Sequence, residues 1–439
     1  MSVAGRSVAE AFVAIAGRDG VRSDQGARAG AAVDGQLAGL VVRPGSLEQL
    51  SQVMALAHEA GLAVVPRGSG SALELGRPPA RMDVALDLRG LDRVVEYNPA
   101  DVTITVEAGI TVGALAARLA PHRQFLALDP PGGATRTLGG ITATNASGPL
   151  RARYGTMRDL LLGVRFVQAD GVVTWGGSKV VKSVSGYDVP KLMVGALGTL
   201  GVLGELTLRL HPLPDAERSW LVPLPSAEAA QTFVERVVDS SVQPNRLEYF
   251  SDRVLDAVAA GSAAAGVAVS IGSVEEAVVE GRARLAAIAR AGGADIVPVP
   301  DSFWSDTERA LTPSGGEALL QIASLTSRLA TTQRAIVEAV GAAASGTPVW
   351  TSACAPLGTF RVRLGAADVA RTAAVTNRLR AELAEIDGSV VIARGPSALR
   401  VVIDPWGPVE AGAFALMRAL KDDLDPGRVL NPGRFVGGL

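Results

Sequence analysis

Val64-Val65-Pro66-Arg67-Gly68-Ser69-Gly70-Ser71 continues the apolar run Leu62-Ala63-Val64-Val65, so it reads as a loop leaving the end of a buried strand. Two glycines and two serines bare successive backbone N–H groups with no bulky side chain in the way. That is the chemistry of an anion nest, which cradles phosphate oxygens. A G-x-G-x-x-G dinucleotide fingerprint competes, but Leu73 stands where its third glycine belongs. The following Glu74-Leu75-Gly76-Arg77-Pro78-Pro79 carries breakers where that fingerprint needs a helix. On this segment alone a plain Gly/Ser turn reads equally well. A second glycine-rich stretch downstream shifts the balance.

Working outward, Leu40-Val41-Val42-Arg43-Pro44 reads as a short strand ended by proline. Ser46 caps a helix with Leu47, Leu50, Val53, Met54 and Ala57 on one face, and Gly61 closes it. The opening is therefore β-α-β, preceded over residues 1–39 by an alanine-rich lead-in of one or two helices. Downstream, Val84 to Leu88, Arg93 to Tyr97 and Val102 to Glu107 read as strands, and Thr111 opens a helix to about Ala120.

The second stretch runs from Leu126-Ala127-Leu128-Asp129-Pro130-Pro131-Gly132-Gly133 through Thr137-Leu138-Gly139-Gly140 to Thr144-Asn145-Ala146-Ser147-Gly148. Small residues occupy nearly every position where a helix wants bulk, which predicts that something large lies against this backbone. Beyond it, Leu160 to Gln168 and Val172 to Trp175 form a hairpin through Asp170-Gly171. Val181-Lys182-Ser183-Val184-Ser185-Gly186-Tyr187-Asp188 leads to a short helix. Gly195, Gly198, Gly201 and Gly204 recur before the strand Leu206 to Leu210; a close turn on a ligand and a tight structural turn both fit.

His211-Pro212-Leu213-Pro214 punctuates the chain and predicts a domain boundary. From Trp220 to about Pro405 a new α+β pattern runs, with strands to Pro223, at Leu247–Phe250 and at Val267–Ile271, and near Leu319, Val349, Val362, Val391 and Val401. Helices start at Ser226 and Val274. A last helix, Val409 to Leu420, ends in the Pro-Gly-rich tail Asp425-Pro426-Gly427 to Asn431-Pro432-Gly433-Arg434.

At 439 residues two domains are the natural expectation. A formal net charge of −2, with no Lys/Arg cluster interleaved with aromatics, argues against nucleic-acid binding. One cysteine, Cys354, supplies neither an intrachain disulfide nor the four thiolates of an iron–sulfur cluster. The N-terminus has no signal-peptide core, and the uncharged run Ala257 to Val274 is too rich in alanine, glycine and serine to favour a bilayer. The expectation is a cytoplasmic protein without a membrane span, any peripheral membrane association coming through partner subunits.

Together these motifs resemble the vanillyl-alcohol oxidase/p-cresol methylhydroxylase type of FAD-binding domain. Within that group they look most like FAD-binding subunits of the bacterial glycolate oxidase (glycolate dehydrogenase) kind. The resemblance is dense over about Leu40 to Leu213 and returns at Leu430 to Arg434. It implies an α+β fold: a two-part FAD-binding domain over 40–214, an α+β cap domain over 215–407, and a C-terminal helix and tail over 408–439 returning to the first domain. Pro66, Arg67, Gly68, Ser69, Gly70 and Ser71 would wrap the pyrophosphate. Pro130, Pro131, Gly132, Gly133, Thr137, Leu138, Gly139 and Gly140 would line the flavin and ribityl side. Thr144, Asn145, Ser147, Gly148, Tyr154 and Gly155 would lie along the rest of the dinucleotide, and Gly201 and Val202 would meet the adenine.

Two departures from the family matter. Covalent relatives place a histidine in or just after the first loop, where Ser71-Ala72 stands, so non-covalent FAD is expected. Relatives that themselves oxidise 2-hydroxy acids carry a histidine-rich segment in the second domain, whereas His58, His122 and His211 all precede the boundary. Arg361, Arg363, Arg394 and Arg400 are candidate carboxylate clamps, though each reads first as a solvated strand-face arginine. Tyr249 and carboxylates remain as bases, and Trp304, Trp350 and Trp406 as pocket walls or core. No catalytic residue stands out. The resemblance therefore implies an FAD-carrying electron-transfer subunit, working with a second flavoprotein subunit and an iron–sulfur subunit in the oxidation of a small 2-hydroxy acid, glycolate to glyoxylate in type. A stand-alone FAD-dependent 2-hydroxy acid dehydrogenase or oxidase is the alternative.

Overall fold

Capping and burial set the first elements. In the computed structural model, which describes residues 7–179 and 186–439, Ser7 and Glu10 form a reciprocal capping box at the start of α1 (Val8–Ala16). After β1 (Val21–Arg22) and α2 (Gln25–Gly30) comes the expected β-α-β unit of β2 (Leu40–Val42), α3 (Leu47–Glu59) and β3 (Val64–Arg67). The Ser46 hydroxyl accepts from the Gln49 N–H at 3.1 Å, and Leu50, Val53, Met54, Leu56 and Ala57 form the buried stripe of α3. β4 (Val84–Asp87) inserts between β2 and β3, giving the order β1-β2-β4-β3, in which the last three strands are parallel. β1 pairs antiparallel with β2, so the alanine-rich lead-in is itself part of this sheet.

A second, antiparallel sheet follows in the order β5-β6-β10-β8-β9. Its strands are β5 (Val94–Asn98), β6 (Thr103–Glu107), β8 (Leu161–Val167), β9 (Val173–Gly177) and β10 (Val202–Arg209). The short β7 (Gln124–Phe125) pairs with β11 (His211–Pro212). α4 (Val112–Leu119) starts at Thr111, as its capping pattern predicts. α5 (Leu138–Thr144) is built from the small-residue stretch, capped by Thr137 and ended by Asn145 at φ +47°. Leu138 and Ile141 of α5 enter a core with Ile104, Val106, Phe166 and Leu206. α6 (Arg151–Tyr154), α7 (Met157–Leu160) and α8 (Val189–Met193) are short. Most of the run expected to lead into α8, Val181 to Ser185, lies outside the described residues.

By its contacts the chain divides into two compact units: Met1–Ser147, Thr156–Leu213 and Pro408–Leu439 form one, and Gly148–Gly155 and Pro214–Gly407 the other. Residues 148–155, which the sequence reading places in the FAD-binding domain, thus group with the second unit.

The second unit contains, among the described residues, an eight-stranded antiparallel sheet of order β15-β12-β14-β13-β17-β18-β16-β19. The strands are β12 (Ala216–Leu224), β13 (Arg246–Ser251), β14 (Ala265–Ser273) and β15 (Val297–Pro298), then β16 (Ala318–Ala323), β17 (Val349–Cys354), β18 (Thr359–Leu364) and β19 (Ser389–Arg394). Its helices are α9 (Ala227–Val238), α10 (Asp252–Ala257), α11 (Glu275–Ala291), α12 (Phe303–Leu311), α13 (Leu329–Ala343), α14 (Val369–Ala384) and α15 (Ser397–Val402). One sheet face, carrying Tyr249, Val267, Phe360 and Val362, packs into the main core with α9, α11, α13 and α14. The uncharged run from Ala257 to Val274 resolves into β14, buried from Ala265 through Ile271. The strand expected near Val401 is the helix α15: Leu399 and Arg400 turn inward, while Val401 and Val402 are exposed.

α16 (Ala411–Leu424) belongs to the first unit, and Lys421 is its buried residue. Lys421 Nζ donates to the carbonyls of Thr199 (2.8 Å) and Leu430 (2.9 Å) and to Asp425 Oδ2 (2.5 Å). The tail beyond pairs with β3: Val64 N–H reaches Val429 O at 2.7 Å, and Asn431 N–H reaches Val64 O at 2.8 Å. The C-terminal segment is thereby tied to the strand that feeds the first glycine loop.

Candidate functional site

The carboxyl ends of β2, β4 and β3 carry a concentrated charge cluster. Arg67 lies opposite Asp87 in the β3–β4 register, and Arg43 and Arg89 converge on the same carboxylate. Asp87 Oδ2 accepts from Arg43 Nη2 at 2.6 Å and from Arg89 Nη2 at 2.7 Å; Oδ1 accepts from the Arg89 N–H at 3.1 Å. Burial by itself raises the Asp87 carboxyl, but the hydrogen bonds from Arg89 and Arg43 outweigh it and hold the group below its usual range. Arg67 is pulled below its usual range by burial, opposed by Asp87 and reinforced by Arg89 and Arg43. Three guanidinium groups around one carboxylate leave an excess of two positive charges. Open parallel sheets bind ligands at this end of their strands.

Gly68 to Ser71 form a tight loop beyond Arg67. Gly70 has φ +82°, and a Cβ there would sit 2.7 Å from Arg67 Nη2. A Cβ on Gly68 would fall 1.9 Å from Thr137 Oγ1, so the loop packs directly on the cap of α5. Between these parts runs a solvent-open cleft whose space, counted together with the open solvent at its mouth, is about 680 Å³.

The cleft brings together Pro66, Arg67, Gly68, Ser69, Gly70 and Ser71 with Thr137, Gly139, Gly140 and Thr144, and with Gly201 and Val202. The other expected residues are placed differently. Leu138, the first residue of α5, is fully buried in the core. Pro130, Pro131, Gly132 and Gly133 do not line the cleft; the Pro131 carbonyl accepts from Arg136 Nη1 at 2.9 Å, and it is Arg136 that lines it. Asn145 serves as the left-handed C-cap of α5, and Ser147 follows it outside the cleft. Gly148, Tyr154 and Gly155 belong to the second unit.

Part of the glycine signal is internal packing. A Cβ on Gly139 would meet the Ala108 carbonyl at 2.8 Å, and one on Gly201 would meet the Phe166 ring at 2.5 Å. The bulk that the sequence demands beside these glycines is therefore supplied partly by the chain itself. Sequence reasoning missed Leu73, Leu88, Arg136, Leu197, Asn431 and Arg434 as lining residues. Arg434 donates to Leu73 O (2.5 Å), Leu75 O (2.8 Å) and Arg77 O (3.2 Å), pinning the turn after the glycine loop. The Asn431-Pro432-Gly433-Arg434 motif was the available signal for this placement.

In the second unit the candidate clamps are engaged within the fold. Arg363 makes two bonds to Glu317 (2.9 and 2.8 Å), donates to Ala310 O, and stacks 4.1 Å from the Trp350 ring. Arg246 pairs with Glu217 and lies 5.2 Å from the Trp304 ring, whose Nε1 donates to Ser219 Oγ at 3.0 Å. Arg400 is buried and donates to Gly395 O at 3.3 Å. Arg361 and Arg394 share the Arg363 face, opposite the main core. Tyr249 is buried in that core, and burial first, with Asp252 and Glu228 adding, pushes its hydroxyl well above the ordinary range, which removes it as a base near neutral pH. Trp406 donates its backbone N–H to Asp404 Oδ1 at 2.9 Å. His122 meets Tyr97 edge-on at 5.3 Å, and His211 lies 6.5 Å from the Phe125 ring. No histidine lines the cleft among the described residues. Among the described residues no helix is long and apolar enough to cross a membrane.

Residues 38–177 match the model of the FAD binding domain family, and residues 213–349 with 405–435 match that of the FAD linked oxidases, C-terminal domain. The chain is 34% identical over 221 residues to a probable mitochondrial D-lactate dehydrogenase of Danio rerio, covering 50% of this chain and 44% of the relative. It is 28% identical over 424 residues to a D-2-hydroxyglutarate dehydrogenase of Xanthomonas citri pv. viticola, covering 90% and 88%. It is 28% identical over 215 residues to glycolate oxidase subunit GlcD of Bacillus subtilis, covering 49% and 46%. The alignment thus spans under half the length of the D-lactate dehydrogenase and GlcD relatives. In three dimensions it is similar to p-cresol methylhydroxylase with substrate bound, with a TM-score of 0.79 at 17% identity over 97% of this chain and 96% of the other. That likeness bears out the expected fold class.

Proposed function

Because this chain belongs to the FAD-linked oxidoreductases, we propose that it holds FAD in the cleft of its first unit and serves as the FAD-binding subunit of a 2-hydroxy acid dehydrogenase of the glycolate-oxidase type. The observation that carries the cofactor site is the glycine loop set beside the arginine cluster. A pyrophosphate brings two negative charges, and Arg43, Arg67 and Arg89 leave two positive charges unmatched by Asp87. The residues fit such a group: Arg67 Nε, a donor in a cleft-lining side chain, is buried without a hydrogen-bond partner. In this reading Gly68 to Ser71 offer backbone N–H groups to the phosphates and Arg67 offers charge. Thr137, Gly139, Gly140 and Thr144 line the chain of the dinucleotide, and Gly201 and Val202 bound one end. Bound FAD supplies a two-electron acceptor for oxidation of a hydroxyl to a carbonyl.

The subunit role is supported by the second unit's chemistry. Arg363 and Arg246 are already paired with carboxylates, Tyr249 is buried, and the three histidines lie outside residues 214–407. A partner flavoprotein would oxidise the substrate, and an iron–sulfur partner would carry electrons onward. The stand-alone alternative has its own support in the alignment spanning 90% of this chain with D-2-hydroxyglutarate dehydrogenase. The purified chain, assayed with glycolate, D-lactate and D-2-hydroxyglutarate and an artificial dye acceptor, tests both. The subunit reading expects bound flavin but no turnover, with activity appearing on co-expression of the partners. Full turnover by the isolated chain makes it a stand-alone enzyme.

A further inference from the structure

Asn431 lies where the C-terminal tail crosses the cleft, and its two side-chain polar atoms have different fates. Nδ2 donates to the Leu197 carbonyl at 2.6 Å, which fixes which end of the amide is oxygen. Oδ1 is fully buried and accepts no hydrogen bond from the protein, although the residue as a whole is 3% exposed and lines the cleft. The backbone around it is held firmly. Its N–H bonds Val64 O, its φ is +47°, and the preceding Leu430 carbonyl is clamped by Lys421. The amide cannot rotate its oxygen toward water without giving up the Leu197 bond, so the fold commits a dry acceptor to the cleft.

Such an acceptor selects its ligand by chemistry. It repels phosphate oxygens, which also only accept at neutral pH, and it satisfies an N–H donor. The cleft walls lined by Leu73, Leu88, Leu197, Val202 and Leu203 are apolar, suited to a flat ring rather than to a sugar. The geometry points to Asn431 Oδ1 as the acceptor for a ring N–H of the dinucleotide, either the adenine amino group or the flavin imide. This rests on the FAD reading above. It makes the C-terminal tail part of the recognition surface, although the chain's FAD binding domain match ends at residue 177.

The test is a coupling measurement on apoprotein by quenching of ligand fluorescence. Wild type and Asn431→Gly, a residue that tolerates the left-handed backbone, are titrated with FAD, with its hypoxanthine analogue lacking the adenine amino group, and with its N3-methyl analogue. Asn431→Ser carries the same readout if the glycine variant does not fold. The expected result is that FAD binds the variant roughly tenfold more weakly than wild type. One of the two analogues loses about as much on wild type but less than about twofold, relative to FAD, on the variant. That analogue identifies the ring. A merely structural role for Asn431 lowers the melting temperature of the apoprotein without such coupling. Unchanged FAD affinity in the variant, or losses that add for both analogues, overturns the inference and leaves the FAD site standing. Wild-type apoprotein that binds none of the three removes the FAD reading and this inference with it.

Discussion

Gly70 combines a left-handed backbone with a side chain's space already taken by Arg67. Gly70→Val would strain φ at a β-branched residue and push the guanidinium out of place. The variant is expected to purify without flavin, read from the ratio of absorbance at 450 nm to that at 280 nm, while wild type is yellow. With Ser71-Ala72 after the loop and no histidine lining the cleft among the described residues, the flavin should be free of a covalent bond. Acid precipitation is expected to leave yellow supernatant over a colourless pellet; colour in the pellet contradicts it. Asp87 gives a prediction about pH. Its carboxyl is held below the ordinary range in the fold and returns to about 3.9 when unfolded. Its contribution is therefore fully present above the unfolded value and is lost as pH falls through the depressed folded value. Asp87→Asn should cost about 1–2 kcal/mol at pH 7, a figure discounted because Arg43 and Arg89 are half in solvent. Its urea midpoint should also fall less than that of wild type between pH 5 and pH 3.

At the scale of elements, α16 shows how a largely exposed helix is anchored by one residue. Removing the ammonium in Lys421→Met leaves Asp425 buried without its counter-charge and frees the carbonyls of Thr199 and Leu430. The expected cost is about 3–5 kcal/mol in urea unfolding. α3, α4 and the β8–β9 hairpin were readable from the chain because each carries its own cap, stripe or turn residue. α15 was not. Val401-Val402 favours a strand by propensity, but burial of Leu399 and Arg400 sets a helix and turns the valines to solvent. α5 was legible as a special stretch, not as a helix, because the packing of Gly139 against Ala108 replaces the bulky side chains that ordinarily announce one.

For the molecule as a whole, FAD that binds only the native state should stabilise it by mass action, by about 2.7 kcal/mol at a hundredfold excess over Kd. Melting temperature should rise with FAD concentration, and Gly70→Val should remove that dependence. The order of motifs along the chain was enough to read the FAD-binding fold class, the β-α-β opening and the glycine loop, because these depend on neighbours within a few residues of one another. Which glycines border the cleft and which serve internal packing depended on what lies across from each, as Thr137 does from Gly68 and Phe166 from Gly201. The same holds for the pairing of Arg43 and Arg89 with Asp87, with Arg67 brought close to them, and for the return of Arg434 to a loop more than 350 residues earlier. A side chain's chemistry is written in the chain, but its burial and its partners are fixed only when distant segments pack, since desolvation and hydrogen bonding act through space.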